Sequence, residues 1–452
     1  MPRPFLQVTA AVSALALVPV ATSAMASAEA GSYRELDLFM EVFNRVKASY
    51  VDPVDDETLV KGAIQGMLSA LDPHSSYVSE LDFDNMRIAT EGEYGGLGLT
   101  VTMEDGAVKV VAPTEDTPAD RAGIKAGDYI THLDGKLIYG GTLDEAITVM
   151  RGKPGTDITL TVVRPGHDEP LEFTLTRETI VQKPVKWEVR DGVGIININT
   201  FSQNTGADTR AAVAAIEQEL GHPPLGYIVD LRNNGGGLLS QAIEVGDVFL
   251  DHGEIVSQRG RTRADIERYY AESMVKGDLT RGLPVIVLID AGTASASEIV
   301  AGAIQDHHRG LVMGTRSFGK GSVQTLMQLG PQSALRLTTA RYYTPSGRSV
   351  QEGGIKPDIT VPQLSDPDYR TRPVFRESDL RRHLINEIDV DDEALEEDTN
   401  EDPRFSATAE ELEEQGIEDF QLHYALGAIT RLGNGQTRSA AAAKGGSGGS
   451  AN

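Results

Sequence analysis

Ser295 stands where an apolar run, Pro284 to Ile289, passes through a short loop, Asp290 to Ala294, into a helical pattern reaching about His307. The junction between a buried strand and a helix start is where open α/β sheets place their ligands. The N–H groups that follow point outward at the positive end of the helix. A serine hydroxyl there is a candidate nucleophile, and Ala296 N–H is a candidate donor to a tetrahedral oxyanion beside it. The same stretch carries a plainer reading. Ser295 to Glu298 is a Ser-x-x-Glu capping box, in which the two side chains satisfy orphan N–H groups of the helix. On these residues alone, capping is the stronger reading.

Lys320 is the second candidate. Gly314 to Ser322 has the spacing of a phosphate-binding loop, Gly-x-x-x-x-Gly-Lys. Gly321 occupies the place of the metal-binding hydroxyl, however, and Val323 to Leu329 reads as a strand rather than a helix. Both features argue against an NTP-dependent enzyme. The near neighbours of Lys320, Phe318 and Val323, are apolar. A free lysine titrates near ~10.4, so burial must lower that value before the neutral amine can take a proton.

Other chemistries fit poorly. Gly-x-Ser-x-Gly occurs at Gly445 to Gly449, inside a Gly/Ser-rich tail, and signifies nothing there. The nine histidines lie mostly beside charges or turns, and His307-His308 ends a helix, where cations suit the dipole. The metal spacing His-Glu-x-x-His is absent. The chain has no cysteine, which excludes a thiol nucleophile, a disulfide framework and thiolate metal sites. A net charge of −26 argues against a nucleic-acid partner, because phosphates would be repelled.

The elements that must position Ser295 and Lys320 lie between about 192 and 362, where strands and helices alternate as in an α/β core. Val193 to Ile198, Tyr227 to Leu231 and Pro284 to Ile289 read as buried strands, and Thr205 to Leu220 as a helix. Asn233-Asn234-Gly235-Gly236-Gly237 follows the second strand. Residues 94–178 change period. Leu97 to Val101, Val108 to Val111, Asp128 to Leu133 and Asp157 to Val163 read as strands, around one helix with Leu143, Ala146, Ile147 and Met150 on a face. Before them, Leu36, Phe39, Met40, Phe43 and Val46 recur at helical spacing, and Leu59 to Leu71 repeats the pattern up to Asp72-Pro73.

The amino terminus reads as a secretory signal, residues 1–28. Arg3 is followed by an apolar run from Val8 to Val20 and then Ala-x-Ala sites at Ala24 to Ala26 and Ala26 to Ala28. The run is short for a bilayer span. The expected location is therefore exported and periplasmic, soluble or loosely anchored at the inner membrane. Glu387 to Glu414 is dominated by acidic residues and reads as a solvated, partly disordered segment.

Three blocks together resemble the C-terminal processing peptidases, the tail-specific proteases. They are Asp230 to Leu239 (Asp-Leu-Arg-Asn-Asn-Gly-Gly-Gly-Leu-Leu), Ser295 to Asp306 (Ser-Ala-Ser-Glu-Ile-Val-Ala-Gly-Ala-Ile-Gln-Asp) and Phe318 to Gln324 (Phe-Gly-Lys-Gly-Ser-Val-Gln). Thr338 to Gly347 and Gly354 to Asp358 continue the match, which runs from about 33 to 362 in order and spacing. The resemblance implies Ser295 as nucleophile, Lys320 as base and Gln324 as the group that positions the lysine. It implies Ala296 N–H and either Gly236 or Gly237 as the oxyanion donors, with no metal or cofactor. Gly95 to Leu99 and Thr117 to Asp128 resemble a bacterial PDZ domain. That likeness implies a peptide groove along Gly96, Leu97, Gly98 and Leu99, walled by Leu143, Ala146, Ile147 and Met150.

The expected fold class is α/β: a crotonase/Clp protease-like protease core with an inserted PDZ-like β-rich domain and a helical N-terminal region. The expected bounds are signal 1–28, helical region 33–92, PDZ domain 94–178, serine protease core 185–365, acidic and helical extension 366–432 and disordered tail 433–452. The expected function is a serine endopeptidase that recognises protein C-termini through its PDZ domain and cuts exported proteins from that end. A catalytically silent PDZ scaffold or chaperone of the cell envelope is the alternative. Expected partners are proteins or peptides with apolar C-termini. The resemblance leaves a homo-oligomer and an envelope adaptor protein open.

Overall fold

The structure, a computed structural model, describes residues 18–104, 106–138, 140–262, 264–271, 277–330, 333–387 and 404–445. The chain forms two compact units, divided between Leu71 and Asp72. In the first unit the described elements are helices α1 (Val18–Ser49) and α2 (Asp56–Ser69), the latter capped by the Asp55 side chain on Thr58 N–H. The first seventeen residues, with most of the expected signal segment, lie outside the described residues. α1 runs through both Ala-x-Ala sites. Among the described residues no helix is long and apolar enough to cross a membrane.

The second unit opens with β1 (Ser76–Val78) and α3 (Glu80–Glu91). A β-rich module follows: β2 (Glu93–Gly96), β3 (Leu99–Glu104), β4 (Ala107–Pro113), the short α4 (Pro118–Arg121), β5 (Tyr129–Leu133), β6 (Lys136–Leu137), α5 (Leu143–Met150), β7 (Asp157–Val163), β8 (Leu171–Thr176) and β9 (Glu178–Val181). β3-β4-β5-β7-β8 form its sheet, and β2 pairs with β9 as a two-stranded neck where the chain enters and leaves. α5 carries a full capping box between Thr142 and Glu145. The expected strand from Leu97 begins at Leu99 instead. Gly98 sits at φ +76°, and the Leu97 and Gly98 carbonyls accept from Ala119 and Thr114 N–H rather than from a ladder partner.

The remaining elements are β10 (Val185–Arg190), β11 (Val193–Ile198), α6 (Thr205–Leu220), β12 (Tyr227–Asp230), α7 (Leu239–Phe249), β13 (Glu254–Gly260), β14 (Ile266–Tyr270), β15 (Val285–Ile289), α8 (Ala296–Asp306), β16 (Leu311–Gly314), β17 (Ser322–Gly330), β18 (Ser333–Tyr343), β19 (Ile359–Thr360), a 3-10 turn (Glu377–Asp379), α9 (Ala409–Glu414) and α10 (Phe420–Gly445). The main sheet has the order β10-β11-β12-β15-β16-β19, and it is parallel from β11 to β19. A second sheet joins β1, β18, β13 and β14, with β17 on β18.

A parallel sheet must be covered on both faces, and its strands therefore read as continuous apolar runs. Alternate residues go to opposite sides. Tyr227, Val229, Val285, Val287 and Ile289 pack with α6, α7 and α8. Ile228, Ile286 and Leu288 pack with Phe405, Leu412, Leu422, Ala425, Leu426 and Ile429. The segment beyond 365, expected as an appended acidic extension, thus supplies the cover of the second face from residue 405 onward. Its apolar residues follow the helical period of α10, while its acidity is concentrated before that helix, and residues 388–403 lie outside the described set. α10 continues to Gly445, past the expected start of the tail at 433. Ile429 is fully buried against the sheet. Ile429→Ala is expected to cost about 2–5 kcal/mol of unfolding free energy, measured by urea titration.

Candidate active site

Three loops meet at the carboxyl end of the main sheet: 231–237 after β12, 290–295 after β15 and 315–321 after β16. Asn234, fully buried, laces the first two. Its carbonyl accepts from Ala294 N–H and Ser297 Oγ, each at 2.9 Å. Its side chain donates to Ile198 O at 2.7 Å and accepts from Gly236 N–H at 2.9 Å. Thr293 Oγ1 donates to Leu231 O at 2.9 Å, and Asn233 N–H to Asp290 Oδ1 at 2.8 Å. Gly236 lies so close to Ser295 that a Cβ there would meet Ser295 Cβ at 2.8 Å and Ala296 N at 2.9 Å. Only glycine lets the turn approach this closely.

Ser295 is held at φ +55° and ψ −114°, just ahead of α8. A non-glycine residue at positive φ is strained and persists where its surroundings over-determine it. The capping box closes tightly from one side only. The Glu298 carboxylate accepts from Ser295 N–H at 2.8 Å, whereas the Ser295 side chain approaches the Glu298 N–H without making a cap hydrogen bond. Ala296 N–H, at the first helical position, and Gly237 N–H have no hydrogen-bond partner among the described residues. Gly236 N–H is already given to Asn234.

Lys320 reaches the same place from the third loop. Glu298, fully buried, accepts from Lys320 N–H at 3.0 Å and Gly319 N–H at 2.8 Å, and also from Ser317 Oγ. One carboxylate oxygen, Oε2, therefore holds the backbones of both Ser295 and Lys320. Gly319, at φ +95°, admits the Glu352 backbone so closely that a Cβ would lie 2.6 Å from Glu352 O. The Lys320 ammonium makes no hydrogen bond or ion pair among the described residues. Burial pushes its pKa below the usual lysine range, and the Arg336 cation adds to this, while Glu377, Glu298 and Asp72 act in the opposite sense. Burial likewise pushes Glu298 up, to about 7, against four hydrogen bonds that favour its ionised form.

The expected site residues are brought together unevenly. Ser295, Ala296, Gly236, Gly237 and Lys320 converge. The Ser295 hydroxyl and the Lys320 ammonium are not hydrogen-bonded to each other, as is common without substrate. Gln324 makes no hydrogen bond to the lysine among the described residues: its amide donates to Ser322 Oγ at 2.9 Å and Thr338 Oγ1 at 3.3 Å. Glu298 was legible only as a cap, and Asn234 only as part of a glycine turn. Arg232, in the first loop, forms paired hydrogen bonds with Asp230 and with Asp419 next to α10, so the second-face cover also anchors the glycine turn.

In the β-rich module β3 is an edge strand, paired only with β4 among the described residues, and Leu99 and Val101 of β3 share a hydrophobic cluster with residues of α5. Gly96, Leu97 and Gly98 are buried and Leu99 half-buried. Ala146 and Met150 belong to the module's core, together with Leu97, and Leu143 and Ile147 are left half-buried on the α5 face. A separate cavity of about 540 Å³ lies between α3 and the end of α5, lined by Arg87, Glu91, Tyr94, Gly95 and Arg151 among others, away from Ser295 and Lys320.

Comparison with known proteins matches residues 192–361 to peptidase family S41, residues 95–175 to the PDZ domain and residues 10–81 to the N-terminal domain of the activating protease CtpB. The carboxy-terminal-processing protease of Bartonella bacilliformis is 49% identical over 377 residues, covering 83% of this chain and 86% of that one. Carboxy-terminal processing protease CtpA of Bacillus subtilis is 34% identical over 341 residues, covering 75% of this chain and 71% of that one. Among solved structures, the photosystem II D1 C-terminal processing protease is 30% identical, covers 72% of this chain and 92% of its own, and superposes with a TM-score of 0.43.

Proposed function

The chain belongs to the carboxy-terminal-processing proteases, serine-type peptidases of family S41 with a PDZ domain, and on that premise we propose that Ser295 and Lys320 are its nucleophile and base, fed with protein C-termini by the PDZ groove. The observation that carries the reading is the single Glu298 oxygen that accepts from both backbones, 2.8 Å from Ser295 N and 3.0 Å from Lys320 N.

Neutral Lys320 takes the Ser295 proton as Oγ attacks the scissile carbonyl. The oxyanion is received by Ala296 N–H at the helix start and Gly237 N–H in the glycine turn, both unengaged among the described residues. Lys320 then returns the proton to the leaving amine. In the second half it deprotonates the water that releases the acyl group. Gln324 orients the lysine once substrate closes the site. Gly236 shapes the turn.

The substrates are proteins with apolar C-termini, met outside the cytoplasm after export directed by the amino-terminal segment. An extended peptide adds to the free edge of β3, with its apolar side chains toward Leu143 and Ile147 and its carboxylate on the Gly96–Leu99 loop. The test offers intact Ser295→Ala protein one unfolded polypeptide with either a free or an amidated apolar C-terminus. Binding of the free form is expected to be tighter by at least about tenfold, about 1.4 kcal/mol. Equal binding overturns C-terminus recognition. A serine-directed fluorophosphonate that fails to label Ser295 in the parent overturns the nucleophile assignment and leaves the silent scaffold.

A further inference from the structure

Lys320 is surrounded by charge that its own loop does not supply. Glu377 in the 3-10 turn, Arg336 in β18, Glu298 in α8 and Asp72 ahead of β1 all act electrostatically on it. Of these, Glu377 lies beyond residue 361, where the match to the peptidase family model ends. Its side chain is completely buried.

The bonds around Glu377 bracket Lys320. On one side Glu377 N–H donates to Phe318 O at 3.1 Å. On the other, the Glu377 carboxylate accepts from Gln351 Nε2 at 3.1 Å, and Gln351 Oε1 accepts from Gly321 N–H at 3.0 Å. His74 closes the arrangement, with Nε2 at 2.9 Å from both carboxylate oxygens. His74 is itself fixed. Its N–H donates to Asp72 Oδ1 at 2.8 Å, and its carbonyl accepts from Arg336 Nε at 3.0 Å. A buried carboxylate is costly unless its oxygens are met, and here Gln351 and His74 meet them.

We propose that Glu377, locked by His74 and Gln351 behind the Phe318–Gly321 loop, is a positioning residue for proteolysis that holds the lysine loop in register and gives the lysine a fixed negative neighbour. It touches no reacting atom, and it acts only through Lys320, so the proposal rests on the Ser295/Lys320 reading. Two effects follow, and they differ in sign. Losing the hold lowers the rate at every pH. Losing the charge removes an attraction for the ammonium form, so the neutral amine appears at lower pH.

The experiment measures the rate of Ser295 phosphonylation by a fluorophosphonate, in which Oγ displaces fluoride from phosphorus, across about pH 6 to 10, for the full chain. In Glu377→Gln the midpoint of the rise is expected to move down by about one pH unit, with a plateau severalfold lower. Glu377→Asp keeps the charge and is expected to restore the midpoint but not the plateau. A Glu377→Gln midpoint equal to that of the parent overturns the proposal, since a merely structural residue changes the plateau alone. Should Glu377→Gln fail to fold, Gln351→Met cuts the tie to Gly321 while leaving the carboxylate. Its plateau is expected to fall severalfold with the midpoint retained, and an unchanged plateau overturns the positioning role. If the parent itself shows no phosphonylation at Ser295, or a flat profile, the Ser/Lys reading has failed instead.

Discussion

Ser295→Ala and Lys320→Ala are each expected to leave less than about 1% of the parent's turnover, and the double substitution no less than either single one, because the proposed nucleophile and base would act as a unit. Lys320→Arg is expected to be equally inactive, since guanidinium stays protonated at every working pH. The stability readout separates this from damage. Lys320 is largely buried without a hydrogen bond or ion pair among the described residues. Its folded pKa is lowered, so the folded protein sheds a proton that the unfolded chain keeps. Stability from this group is therefore missing at neutral pH and returns only as pH rises toward the value of a free lysine. Lys320→Ala or Lys320→Met is then expected to be at least as stable as the parent at neutral pH, as when a site held ready for chemistry is relaxed. A Lys320→Ala protein that melts well below the parent, or one that retains a tenth of its turnover, would sink the assignment.

What could be read from the sequence follows the range over which each constraint acts. The strands β11, β12 and β15 were legible because a parallel sheet covered on both faces demands unbroken apolar runs, and Ile286, Val287 and Leu288 provide one. Ser295 was legible as a strand-to-helix junction. Its φ of +55° was not, because backbone strain comes from the loops packed around it. Glu298 shows the limit most clearly. Its spacing from Ser295 announces a helix cap, and the cap half is present. Its contacts to Ser317, Gly319 and Lys320 join positions 19 to 22 residues away, which no local pattern encodes. The cover supplied by α10 was hidden by acidic residues earlier in the same segment, which drew the whole stretch toward a solvated reading. Glu377 and His74, 303 residues apart, leave no sequence signal as a pair.

Glu298→Ala is expected to be the most damaging substitution outside the proposed Ser/Lys pair, with turnover down by at least about a hundredfold. Removing the carboxylate leaves Ser295, Gly319 and Lys320 N–H groups without their acceptor in a dry site, and both chemical groups lose their common anchor. Glu298→Gln is the sharper probe. The amide oxygen can serve Ser295 and Lys320 N–H, but the amide nitrogen then faces Gly319 N–H, donor against donor, so an intermediate loss is expected. The pH dependence carries the test. Glu298 titrates near 7 when folded, raised by burial from an ordinary 4.5. The ionised form accepts all four hydrogen bonds, so protonation below about 7 loosens the site and adds to the separate loss that comes from charging Lys320. On the acid side log kcat should therefore steepen toward a slope of two in the parent and stay near one in Glu298→Gln. Stability moves the other way. A carboxyl whose folded pKa is raised contributes stability that is full below the unfolded value and is lost as pH rises through the folded one. Between about pH 4.5 and 7 the parent should lose on the order of 3 kcal/mol relative to Glu298→Gln, which has no such proton to give up. Identical acid limbs in the two proteins, together with parallel stability curves, would show that Glu298 is a helix cap and nothing more.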